Sequence, residues 1–351
     1  MWRIENETPF AAERGWTRDR NGVEVWLVVV KCTFDIKADG TTVIANDQPE
    51  VRRIPEYHGE PGKSSIKYDV DLVPGKTTTD VTVLGDACAP EGRPVTELEV
   101  GFRVGPVSKL LHVSGDRAWH SSAVTRAEPF VRMPLVYERA YGGIDRLSKQ
   151  RDRDFDWRNP VGTGFAMSRD SATGVRLPNI EYPHARITRW SDRPAPAGFG
   201  PIAREWQPRV ALAGTYDDAW QRDRQPLVPE DFDDRFFQSA PQDQQTPAFL
   251  RGGEPVVLDG LSAGGTVRFF LPKVFLSFET EFVGGRRERH TDRKLHSVIL
   301  EPNGPRVSLV WHSALPCHRD VHRLDCTTIT VKDLLDNRHG RDADPTELEL
   351  V

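Results

Sequence analysis

The chain has 351 residues, 38% of them hydrophobic and 9% aromatic, enough to bury a large core in one to three domains. A net charge of -5 gives no general attraction to nucleic acid or to an anionic membrane. The longest apolar run, residues 25–30, is far too short to cross a bilayer. The N-terminus carries carboxylates where an export signal needs basic and then apolar residues, and four cysteines (Cys32, Cys88, Cys317, Cys326) are too few for a disulfide scaffold. The expected location is a reducing cytoplasm.

Residues 1–145 read as strands. Residues 23–34 are β-branched and aromatic and follow Asn21-Gly22, a strong turn signal. In residues 97–104, Leu98, Val100, Phe102 and Val104 share one face and Glu97, Glu99, Gly101 and Arg103 the other, the pattern of a half-buried strand. Gly105-Pro106 then turns the chain, and residues 107–113 read as the return partner. Residues 66–72 and 80–84 fit the same scheme.

From 146 to 255 the periodicity fades. Closely spaced prolines from Pro178 to Pro255 exclude long helices, while Trp157, Trp190, Phe199, Trp206 and Trp220 are too aromatic for a disordered linker. The segment reads as an ordered, loop-rich layer. Its best helix candidate follows Pro229, with Phe232 and Phe236 four apart. From 256 strands return: residues 267–271, 274–282, 295–300 and 306–311, the last two joined by the hairpin turn Pro302-Asn303-Gly304. Residues 331–337 suggest a short helix, and the acidic tail from about 333 is expected to fray. The predicted fold is mainly β, a β-sandwich-like core with few short helices. Residues 1–145 form its first half, 146–255 cover it, and 256–351 complete the same sheets.

No catalytic motif stands out. His312, Cys317, His318, His322 and Cys326 lie within fifteen residues and are the types zinc prefers. Their spacing matches no usual zinc pattern, so surface histidines and core cysteines are the preferred reading, with no metal or other cofactor expected. No Gly-x-Ser-x-Gly elbow and no phosphate-binding glycine pattern occurs. Asp152, Asp154 and Asp156 alternate with arginines and lack the glycine and distal glutamate of a calcium loop. The basic run that begins at Arg286 and Arg287 reads as an exposed hairpin loop suited to a protein contact rather than nucleic acid.

Several strings are more specific. Gly115-Asp116-Arg117-Ala118-Trp119 is followed by Glu128 to Leu135 and by Tyr137-Glu138-Arg139-Ala140-Tyr141-Gly142-Gly143. Downstream come Asn159-Pro160-Val161-Gly162, Leu177-Pro178-Asn179-Ile180-Glu181, Gly198-Phe199-Gly200-Pro201-Ile202, Gly214-Thr215-Tyr216-Asp217 and Pro229-Glu230-Asp231-Phe232-Asp233. In this order, from the N-terminus to about residue 275, the chain resembles a domain-of-unknown-function family of type VI secretion system accessory proteins.

The resemblance implies a non-enzymatic effector adaptor or chaperone. Such a protein would stabilise a toxin encoded beside it and help load it onto the spike, made of VgrG and the PAAR tip. It carries over no catalytic residue. Gly115, Asp116, Arg117, Trp119, Arg139, Gly142 and Gly143 are expected to be structural, the first three as a turn with a buried salt bridge. Partner anchors are sought in Trp190, Phe199, Trp206, Trp220, Arg286 and Arg287, because aromatic and arginine side chains dominate interfaces. Taken singly, each aromatic is more expected to plug the core beneath the loops. The rival readings are a metal-dependent or carbohydrate-active hydrolase and a lectin-like module.

Overall fold

The computed structural model describes residues 2–120 and 123–335. Strand Glu24–Ile36 organises it: every side chain from Trp26 to Phe34 is buried. A strand buried on both faces needs a layer on each side. Trp26, Val28, Val30, Cys32 and Phe34 point into the main core. On the other face Val29 packs with Val51, Tyr68, Ile299 and Val310, and Lys31 is ion-paired to Asp71 at 2.9 Å beneath the loops.

Three sheets share the main core. In the six-stranded sheet the order is Ala11–Arg18, Glu24–Ile36, Arg306–His318, Arg293–Glu301 and Asp80–Val83, with Thr42–Ile44 also paired to Glu24–Ile36. All its pairs are antiparallel except that of Arg293–Glu301 with Asp80–Val83. The four-stranded sheet runs Arg3–Asn6, Leu324–Leu335, Lys273–Phe282 and Arg287–Arg289, its first pair parallel. The five-stranded sheet, wholly antiparallel, runs Ile180–Glu181, Val107–Ser114, Glu97–Val104, Pro255–Asp259 and Val267–Phe270. Phe102, Val298 and Phe278, one from each sheet, meet in one apolar cluster. The Trp26 indole donates to Thr327 Oγ1 at 3.0 Å and so ties the six-stranded sheet to the four-stranded one.

The protein is mainly β, and its two α-helices among the described residues are short: Arg169–Ala172 and Asp218–Asp223. No helix of the described residues is long and apolar enough to cross a membrane. The expected hairpins at Gly105-Pro106 and Pro302-Asn303-Gly304 are present, with Val104 opposite Val107 and Glu301 opposite Arg306.

Three expectations fail. Instead of a helix over residues 331–337, the chain stays extended to Leu335, because Leu334 and Leu335 are held in register opposite Val274 and Lys273. The rest of the acidic tail lies outside the described residues. After Pro229 there is a 3-10 turn, Asp234–Phe237, and the Phe236 ring in it meets that of the preceding Phe232 edge-on at 5.6 Å. The α-helix of this region comes earlier and is capped by the Asp217 carboxylate, which accepts from Trp220 N. Finally, of residues 66–72 only Ile66–Tyr68 is strand.

Candidate functional site

The strings of the middle section converge on one polar knot at the end of strand Val107–Ser114. Gly115 passes so close to Glu128 that a Cβ would lie 1.7 Å from its carbonyl oxygen, so no other residue fits. Asp116 Oδ1 accepts from Asn179 Nδ2 at 3.0 Å and from Arg139 Nη1 at 3.4 Å, and Arg139 also donates to Asn179 Oδ1 at 2.9 Å. Arg117 pairs with Glu181, both side chains buried, and the second Glu181 oxygen accepts from Ile187 N at 2.7 Å. Asn159, fully buried, donates to the carbonyls of Tyr137 (2.7 Å) and Tyr141 (3.0 Å). Gly142 has φ 146°, and a Cβ there would meet the Asn159 carbonyl at 2.2 Å; Gly143 sits at φ 92°. Trp119 packs beneath with Tyr141, Leu177 and Ile187 in a second small core.

Beside the knot opens a cleft of about 570 Å³, lined among others by Tyr137, Arg158, Tyr182, His184, Gln207 and Asp243. Tyr137 meets Trp206 edge-on at 5.8 Å and donates to the Gly200 carbonyl at 3.3 Å. Burial holds its hydroxyl pKa well above the usual range. The Tyr182 hydroxyl donates to Asp243 Oδ2 at 2.9 Å, and its ring lies 5.4 Å from that of His184. Burial and then the Asp243 charge push its pKa up as well.

Below Asp243 lies Lys109. Its buried ammonium donates to Asp243 Oδ1 (2.9 Å), Gln244 Oε1 (2.8 Å) and the Gly198 carbonyl (2.8 Å). Burial pulls its pKa down to about 8 against the opposing attraction of Asp243. Arg158 is held by both oxygens of Asp156, at 2.9 and 2.6 Å. The lysine, the arginine and the aspartate around the cleft are thus committed to ion pairs. What remains accessible is the Tyr182 ring, the exposed His184 imidazole and proline surface, edged by the Gln207 and Gln242 amides.

A family model described as an uncharacterized protein conserved in bacteria (DUF2169) matches residues 21–312. The chain belongs to that family. No curated protein and no solved structure matches it. The DUF2169 match takes in the knot and the cleft whole, and of the candidate zinc ligands it reaches only His312.

Those ligands do not come together in this DUF2169 protein. His312 is buried, stacked on His296 at 4.3 Å and bonded to the Val73 carbonyl at 2.9 Å; burial lowers its pKa to about 4. Cys317 lies in the main core, where burial raises its thiol to about 11. His318 and His322 are exposed, and Cys326 is buried in the strand beside Arg3. Among the described residues, no group of three or more His, Cys, Asp or Glu side chains is placed to hold a metal ion.

The proposed anchors divide. Phe199 is fully buried against Phe102, ring centres 5.1 Å apart, and Trp206 is buried beside Tyr137; both are packing residues and present no surface to a partner. Trp190 is half-buried on the small core, and Trp220, also half-buried, donates its indole N–H to the Leu227 carbonyl at 2.8 Å. Arg286 lies 4.0 Å over the Phe282 ring and pairs with Glu288 and Asp320, while Arg287 pairs with Glu279 and Glu281 across the hairpin.

Sequence reasoning missed the cleft and Lys109. One signal was there to read: Val107, Lys109, Leu111 and Val113 share the buried register of an alternating strand, and a lysine in that register must find an anion.

Proposed function

We propose that this protein is a non-enzymatic adaptor or chaperone that binds a type VI secretion effector toxin in the bacterial cytoplasm and helps load it onto the VgrG/PAAR spike. The observation that carries the reading is the cleft, where the charged groups are already paired and the free surface suits an extended peptide. The strings that resemble type VI accessory proteins border it: Tyr137 belongs to one, Arg158 precedes another, Tyr182 follows a third and Ile202 ends a fourth. A hydrolase built on residues 312–326 has no such support, because its ligands face different parts of the fold.

The test is co-expression with the product of the adjacent toxin gene, followed by pull-down and sizing. A stable complex that raises the toxin's soluble yield is expected, and the double variant Tyr182→Ala, Gln242→Ala should weaken it by about tenfold or more. A toxin that is soluble alone and forms no complex would sink the chaperone reading.

A further inference from the structure

We propose that the loop from Ile144 to Arg158 is a docking ridge for an acidic segment of the partner protein, one that carries apolar anchors between its carboxylates. The inference rests on the adaptor reading and gives that partner a chemistry.

The loop folds back on itself: Ile144 bridges Phe155 in antiparallel fashion, and Asp145 N donates to the Asp154 carbonyl at 2.9 Å. Residues directly opposite in such a bridge put their side chains on the same side. Phe155 and Trp157 have ring centres 4.4 Å apart. Ile144 and Trp157 are 46% and 57% exposed, and nearby Leu147 and Met167 are similarly open. The buried carboxylate of Asp145 fastens this arrangement by accepting from Leu147 N at 2.8 Å and from Met167 N at 2.5 Å. Four large apolar side chains are therefore left about half exposed on well-bonded backbone, apolar surface that a partner could cover.

Charge selects the partner. Lys149, Arg151 and Arg153 are exposed at the tip. Of the carboxylates between them and Arg158, Asp156 is taken by Arg158 and Asp154 accepts from the Ser148 hydroxyl, leaving Asp152. Residues 146–193 hold ten lysines and arginines against six carboxylates, within a chain of net charge -5. A positive island with an apolar centre complements an acidic segment with apolar anchors. The acidic remainder of the molecule argues against an anionic bilayer as the occupant. The ridge is also continuous with the cleft: Gln207 N, on the cleft wall, donates to the Trp157 carbonyl at 2.9 Å, and Arg158 lines the cleft itself. One extended segment can lie across both.

The experiment has two arms. In the first, the full chain is titrated with a synthetic peptide in which glutamates alternate with leucine and phenylalanine, with its lysine counterpart, and with phosphatidylserine vesicles. Salt-sensitive binding of the glutamate peptide alone is expected, weakened about tenfold or more by Trp157→Ala and, separately, by Arg151→Glu with Arg153→Glu. Equal binding of both peptides, no binding, indifference to the variants, or binding of vesicles in place of the peptide would each overturn the ridge. All these side chains are exposed, and circular dichroism checks that the variants fold. In the second arm the same variants enter the toxin pull-down. A toxin complex that both variants leave intact overturns the ridge and leaves the adaptor reading standing. Absence of a complex with the unaltered chain defeats the adaptor reading, while the peptide arm still decides the ridge.

Discussion

Val28 and Asn159 are both fully buried, yet they are held by different physics. Val28 sits in a ladder among residues of its own kind, and its neighbours Val30 and Cys32 do the same work in the same register. Asn159 has no equivalent neighbour. It stands alone between the Tyr137 and Tyr141 carbonyls in a region of bends and turns, where each backbone group needs its own partner. The sheets are thus stabilised by repetition, which spreads the effect of any one change. The loop layer over the knot and cleft is stabilised by single bonds without substitutes, so damage there should be local and specific.

The sharpest break lies where the two regions join. Asp80, on the six-stranded sheet, is buried with Lys76 and also accepts from Gln238 Nε2 (2.8 Å) and Ser239 N (2.7 Å) of the loop layer. Asp80→Ala leaves a buried ammonium unpaired and should cost about 3–5 kcal/mol in urea unfolding; a loss below about 1 kcal/mol would mean that the layer is not fastened at this point.

Acid should weaken the sheets next. His290, between Ser313 Oγ and Thr280 Oγ1 at 2.7 Å each, and His312 both have pKa values lowered to about 4 by burial, opposed on His312 by its bond to the Val73 carbonyl and then by Asp292. Below about 6.5 the unfolded chain takes up protons that these folded imidazoles refuse until about 4, so stability falls across that window and levels beneath it. Urea unfolding at pH 5 against pH 7 should show a loss of about 2 kcal/mol per histidine. A flat profile over this range would remove the burial argument for both.

Within the layer alone, Asn159→Ala removes the side-chain donor from the Tyr137 and Tyr141 carbonyls, of which Tyr137 keeps the Ala140 N–H, and should cost about 1–3 kcal/mol. Here the shape of the transition matters more than its midpoint. If tryptophan fluorescence and circular dichroism cease to coincide, the layer opens before the sheets; coincident curves would make sheets and layer one cooperative unit. The smallest effect is expected at Arg287→Ala on the hairpin rim, under about 1 kcal/mol, because both of its carboxylate partners are solvated.

The same contrast governs what could be read from the sequence. The strands Glu97–Val104 and Val107–Ser114 were legible because alternation reports directly on a half-buried face, and Pro302-Asn303-Gly304 because its turn chemistry is local. Strand Ala11–Arg18 was not legible. It lies at one side of its sheet with residues 11–15 and Thr17 all half-buried, so no alternation shows in its composition. The cleft was illegible for a different reason: its lining comes from segments far apart in the chain, and pairings such as Lys109 with Asp243 at 2.9 Å leave no trace in either neighbourhood. Residue type also fails to separate Phe199, wholly interior, from Trp157, which is more than half exposed, since both are large aromatics of the same irregular segment. The helix expected over residues 331–337 lost because a long ladder with Lys273–Phe282 outweighs weak local preference.

The position of Arg306–His318, between Glu24–Ile36 and Arg293–Glu301, also sets the time at which the protein can form. A ribosome releases Glu24–Ile36 long before its central neighbour Arg306–His318. Throughout translation, then, the edge of Glu24–Ile36 that will receive Arg306–His318 has no occupant, an open template for wrong pairing. A nascent chain halted near residue 290 should be cut rapidly by trypsin around this strand while the finished chain resists. This sheet can therefore close only after residue 318 has been made.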